Sequence, residues 1–248
     1  MESIARKNPA DAALHRGPSL LIVAVVYVTL FIASIVIPTV MSGGQHFPSP
    51  FDPADQAARY FGAHPGAVQL AAFLQLGSAL PLGIFAASAS SRVQFLGMKV
   101  AGIHIALFGG IAASVFQAFA AAVEWVLSQP SFPGASDVTR PLQLLAFATG
   151  GPGCVATFGL LVAGLSVTAG LQGFAPRWLM VFGLGIAAVA EVSTLVFVLP
   201  AATILLPIAR LSGFVWMICL GAVLPKARGE LRGRPVAPAL AHAGGGAA

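Results

Sequence analysis

Six apolar stretches, each long enough to cross a hydrocarbon layer, leave this chain few ways to fold. A spanning α-helix needs about 20 consecutive apolar residues. Ser19–Met41, Gly66–Ala89, Gly97–Leu127, Pro141–Leu171, Trp178–Leu199 and Thr203–Leu224 all meet that length. In hydrocarbon the backbone polar groups must be satisfied within the protein, so such runs fold as helices. Only 8% of the 248 residues are charged, while 57% are hydrophobic; soluble domains carry about 25% charged residues. No stretch is left over for a separate soluble domain. The expected fold is all-α, a polytopic membrane helix bundle of six transmembrane helices over residues 19–224. A cytoplasmic N-terminal segment, residues 1–18, precedes it, and a basic, then Gly/Ala-rich cytoplasmic tail, residues 225–248, follows.

The formal net charge of +5 reads as topology rather than as a nucleic-acid footprint, because the basic residues alternate between ends of the spans. Arg6, Lys7, Arg16, Arg92, Lys99, Arg177, Lys226, Arg228, Arg232 and Arg234 fall on one side. Arg59, Arg140 and Arg210 belong to the other half. Both termini are therefore expected to be cytoplasmic. The first apolar run is longer than a signal-peptide core, which favours a retained anchor. Cys154 and Cys219 fall inside spans and read as small packing residues rather than a disulfide framework.

Two spans are interrupted in sequence. Span 4 contains Thr149-Gly150-Gly151-Pro152-Gly153 near its middle, and span 2 contains Pro81 between Gly77 and Gly83. Proline lacks the N–H and clashes with the preceding turn, and glycine adds backbone freedom. Helices 2 and 4 are thus expected to be broken or kinked. A weak repeat supports the pairing: Gln69-Leu70-Ala71-Ala72-Phe73 returns as Gln143-Leu144-Leu145-Ala146-Phe147, and the same offset sets Gly77 against Gly151. The loop Ser42–Pro65 is rich in Gly and Pro, with a short helix expected over Asp55–Phe61.

Charges within a bilayer are costly and face a partner or a cavity. Glu191 lies about 20 Å from the inner boundary and Arg210 about 10 Å from the outer one at 1.5 Å per residue. In a core about 30 Å thick that is the same depth, so an ion pair between them is expected. It would either lock the hairpin of spans 5 and 6 or line a polar cavity. Thr149 and Gly150–Gly153 fall in the same layer, as do Gln75, Ser78 and Gln117, with Glu124 one heptad further out. Freed N–H groups at a broken helix bind anions, and freed carbonyls bind cations. The candidate ligand-binding set is therefore Glu191, Arg210, Thr149, Gly150, Gly151, Gly153, Gln75 and Gln117.

Other chemistry finds less support. His104 has no second histidine at matching depth for haem. His46, Asp52, Asp55 and His64 share the outer loop without a compact zinc spacing and read as solvated residues. No Walker, Rossmann, HExxH or Ser/His/Asp motif occurs. No catalytic residue, metal ligand or cofactor is assigned.

Phe51-Asp52-Pro53-Ala54-Asp55, Ala63-His64-Pro65-Gly66, Ala146–Gly153, Pro176-Arg177-Trp178-Leu179 and Trp216 together resemble a bacterial family of six-span integral membrane proteins known only as a domain of unknown function. The similarity covers Ser19 to about Pro225. It implies the six-span fold and transfers no activity. The leading expectation is a protein of the bacterial inner membrane that binds a small or amphipathic ligand in an intramembrane polar cavity, as carrier or sensor. A structural or regulatory membrane subunit stays open as an alternative, and an intramembrane enzyme is the least favoured. Expected partners are the lipid bilayer, a small-molecule or lipid ligand, and a membrane-protein partner or second copy, with no nucleic acid.

Overall fold

The computed structural model describes residues 14–129 and 136–227. Much of the expected N-terminal segment and tail, including Arg6, Lys7, Arg228, Arg232 and Arg234, lies outside the described residues. So do residues 130–135 between spans 3 and 4.

The chain is all-α. Six of its helical segments are long and apolar enough to cross a membrane: Leu20–Met41, Pro65–Phe95, Ala101–Leu127, Val138–Leu171, Arg177–Phe197 and Pro200–Val223. In chain order the α-helices are α1 (Leu20–Met41), α2 (Ala54–Ala63), α3 (Pro65–Phe95), α4 (Ala101–Leu127), α5 (Ser136–Ala148), α6 (Cys154–Leu171), α7 (Arg177–Val192) and α8 (Leu205–Val223). α2 is the short helix expected in the outer loop. α5 and α6 form one span joined by a π-turn, Thr149–Gly153. α7 and α8 are joined by two 3₁₀ segments, Ser193–Phe197 and Pro200–Ile204.

The spans pack as a closed ring. α1 packs on α3, α3 on α4, α4 on α6, α6 on α7, α7 on α8, and α8 returns to α1. Small residues allow the closest approaches. A Cβ on Gly109 of α4 would meet the Thr157 carbonyl oxygen at 2.6 Å and the Leu161 nitrogen at 2.7 Å. At the end of the bundle where the described residues begin and finish, an apolar core joins Leu20, Ala24, Val93, Ile103, Leu165, Leu179, Trp216 and Leu220. There the His15 N–H donates to the Lys226 carbonyl at 2.9 Å, and Leu14 bridges Ala227. The two ends of the ring are thereby clasped together.

One sequence expectation is corrected. α3 runs as a continuous α-helix from Pro65 to Phe95 straight through Pro81, so span 2 is not interrupted. A lone proline removes one N–H, and α4 donates to two carbonyls of the turns that precede it. Ser114 Oγ donates to the Ala79 carbonyl at 2.7 Å, and Gln117 Nε2 to the Gln75 carbonyl at 3.3 Å. In span 4 three glycines flank the proline and the helix does break: Gly151 sits at φ −86°, ψ −105°, outside the helical region. The two spans share a sequence pattern but not a break, which removes the main structural support for the repeat.

Candidate functional site

The break opens toward a cavity of about 450 Å³ in the half of the bundle away from the termini. Every spanning stretch except α7 contributes to its wall. α1 supplies Phe31 and Ile35, α3 Gln75, α4 Glu124, and α5 Gln143, Ala146 and Phe147. The π-turn supplies Gly150 and Gly151, and the last span Thr203, Leu206, Pro207, Arg210 and Leu211. Phe47, Pro48, Ser49 and Pro50 of the outer loop form its roof. α5 pins that roof: Gln143 Nε2 donates to the Pro48 carbonyl at 2.9 Å and Arg140 Nη1 to the Asp52 carbonyl at 2.8 Å. Phe51 meets the Phe147 ring edge-on at 5.5 Å. Ile35 and Leu211, each about half exposed, place the rim of the cavity on the outer surface between α1 and α8.

Arg210 is the positive charge of the site. It lies on the inward face of α8, in line with Leu206, Ala209, Gly213 and Met217. Its Nη2 donates to the Gly150 carbonyl, one of the groups freed by the break. Its guanidinium carbon stands 4.9 Å from the centre of the Phe31 ring, a distance at which a cation is attracted to the aromatic face.

The expected ion pair between Glu191 and Arg210 does not form. Among the described residues the one ion pair is Arg59–Asp55, at 2.6 Å on the surface. Glu191 is exposed and faces out of the bundle. α7 buries Leu179, Gly183, Ile186, Ala187 and Ala190. One residue beyond Ala190 the helix has turned about 100°, which carries Glu191 off the buried face. Its Oε1 ends beside α6, 3.5 Å from where a Cβ on Gly159 would stand. α7 and α8 are neighbours, as read from the sequence, but the side chain of Glu191 does not point toward Arg210.

The negative charge near Arg210 is Glu124 of α4. It lines the same cavity, and Gln75 and Arg210 are its polar neighbours. Its Oε2 is buried and without a hydrogen-bond partner. Gln143, 3% exposed, uses its Nε2 on the roof and leaves its buried Oε1 unpartnered. Glu124 and Gln143 are the functional candidates missing from the sequence-derived set. The signal for Glu124 was its position seven residues after Gln117 on one helix face. Gln143 had only its place at the mouth of the broken span.

The remaining predicted residues divide. Gln75, Gly150 and Gly151 line the cavity with Arg210. Gln117, 1% exposed, lies beneath it with both ends of its amide in use. Its Nε2 donates to Ser78 Oγ at 2.5 Å, and its Oε1 accepts from Tyr27 Oη at 3.5 Å and Cys154 Sγ at 3.9 Å. That network ties four spans together. Thr149 Oγ1 donates to the Leu145 carbonyl of its own helix at 2.7 Å. The Gly153 carbonyl accepts from Thr157 Oγ1 at 2.8 Å. Neither lines the cavity.

In the outer loop, Asp52 Oδ2 accepts from the Ser49 N–H at 2.9 Å, Asp55 pairs with Arg59, and His64 lies 5.2 Å from the Tyr60 ring. No three His, Cys, Asp or Glu side chains come together among the described residues. A larger groove of about 630 Å³ between α3 and α4 is lined by Phe73, Leu76, Ala121 and Trp125 without any charged side chain. It belongs to the apolar outer surface. Family models, curated proteins and solved structures offer no match to this chain.

Proposed function

We propose that this is a multi-pass protein of the bacterial inner membrane, both termini cytoplasmic, that holds a small amphipathic ligand in the Arg210–Glu124 cavity, as a carrier or sensor. The observation that carries the reading is the cavity wall. Two opposite charges line one space without pairing, next to backbone groups freed by a broken helix. Buried charges that serve packing alone are normally paired, and interrupted helices at mid-membrane recur at ligand sites. The cavity is of ligand size. A rim between α1 and α8 suits a molecule that enters from the lipid phase. Orientation follows the split of basic residues, of which Arg16, Arg92, Lys99, Arg177 and Lys226 are described and lie at the helix ends nearest Leu14 and Ala227.

One contact favours the rival reading of a structural or regulatory subunit. By donating to the Gly150 carbonyl, Arg210 could simply lock α8 to the break. Native mass spectrometry of the purified full-length protein separates the two. A ligand site should carry a co-purifying small molecule or lipid that is lost in Arg210→Gln while the protein stays folded. Absence of any adduct in the wild type, or an adduct unchanged by the substitution, would support the subunit.

A further inference from the structure

We propose that the ligand of this cavity is a zwitterion, a primary ammonium and an oxyanion carried close together on an apolar body, with the oxyanion on Arg210 and the ammonium on Glu124 and Gln143. The inference rests on the cavity reading above and names the chemistry it selects.

Three features define the requirement. Arg210 presents a planar cation with five N–H donors. Nη2 is committed to the Gly150 carbonyl, and no N–H reaches a carboxylate. Glu124 and Gln143 each keep one buried, unpartnered oxygen, and both line the space that Arg210 lines. The remaining wall is mostly apolar and aromatic, with Phe31 and Phe147 foremost, and adds the neutral polar side chains of Gln75, Ser49 and Thr203.

An unpaired polar group away from water is costly, and an unpaired charge more so. A simple anion would satisfy Arg210 while setting a like charge near Glu124. A simple cation would meet the mirror problem at Arg210. A neutral apolar molecule would leave both charges and the Gln143 oxygen unmet. A ligand with both charges answers all three. An ammonium has three donors, enough for a carboxylate oxygen and an amide oxygen at once. The guanidinium fork matches a carboxylate or a phosphate. Two sources share this chemistry: a free apolar amino acid and the ethanolamine headgroup of a phospholipid.

The test uses the full-length protein in detergent and two matched pairs of probes, with binding measured by titration calorimetry. One pair is L-leucine and N-acetyl-L-leucine. The other is lyso-phosphatidylethanolamine and its N-acetyl derivative. The free-ammonium member of one pair should bind at least tenfold tighter than its acetylated twin, and the pair that shows this identifies the source. Glu124→Gln should abolish the preference, and Arg210→Gln should weaken both members. The wild-type comparison decides by itself if a variant does not fold. Equal binding within both pairs overturns the zwitterion but leaves the cavity reading standing, since something bound. No binding of any of the four probes also overturns it, and the co-purification experiment then judges the cavity separately.

Discussion

Arg210 stands on the inward face of its helix, caps a carbonyl of the broken span and lies against an aromatic ring. Hydrogen bonds to charged groups contribute about 1.5–3 kcal/mol. Arg210→Ala should therefore destabilise the purified protein by about that much, read as a lower midpoint of thermal unfolding. Glu191→Gln should change it by less than about 0.5 kcal/mol, as for surface positions generally. A loss at Glu191 equal to that at Arg210 would restore the ion pair that the structure lacks. The contrast also shows what a single sequence can yield. Counting residues along a helix gives an expected height for a side chain, as it did for Glu191 and Arg210, but not its direction. Azimuth depends on which face packs, and one residue past Ala190 was enough to turn Glu191 outward. Glu124 was legible only as a heptad neighbour of Gln117. Gln143 was not legible at all, because its Nε2 is held by the Pro48 carbonyl of a loop 95 residues away in sequence.

At the scale of elements, the six spans were legible, with ends within about six residues of those observed, because length and apolarity are local properties. The break in span 4 was legible for the same reason: Gly-Gly-Pro-Gly has neither the propensity nor the N–H to continue a helix. Pro81 misled because a single missing N–H, without the three glycines that flank Pro152, leaves α3 continuous. Ser114→Ala removes the hydrogen bond from α4 to the Ala79 carbonyl and should loosen that contact, seen as faster amide exchange over residues 77–85 with the rest of α3 unchanged. The contact of α4 with α6 offers a sharper test. Gly109→Ala drives a methyl into backbone atoms of α6 and should destabilise by about 1–3 kcal/mol, the usual range for overpacking. Gly185→Ala on α7 meets nothing within 4 Å and should be neutral or stabilising by about 0.5–1 kcal/mol. The pair of unfolding midpoints checks the packing with one substitution type.

For the whole molecule, the ring order and the closure of α1 on α8 were beyond the sequence, since nothing local states which spans meet. The split of basic residues gives an expectation for which end faces the cytoplasm. Reporter fusions after Met41 and after Leu171 should lie on opposite sides, with the Leu171 fusion cytoplasmic; both on one side would contradict the topology. The ring encloses an apolar core toward the end where the described residues begin and finish and the Arg210–Glu124 cavity toward the other, and the functional reading rests on the wall of that cavity. Its most direct test is an electron cryomicroscopy map of the purified protein in lipid nanodiscs. The expected map shows non-protein density between the Arg210 guanidinium and the Glu124 carboxylate, with the two held beyond ion-pair distance. A collapsed cavity in which Arg210 and Glu124 pair directly, with no density between them, would contradict the account.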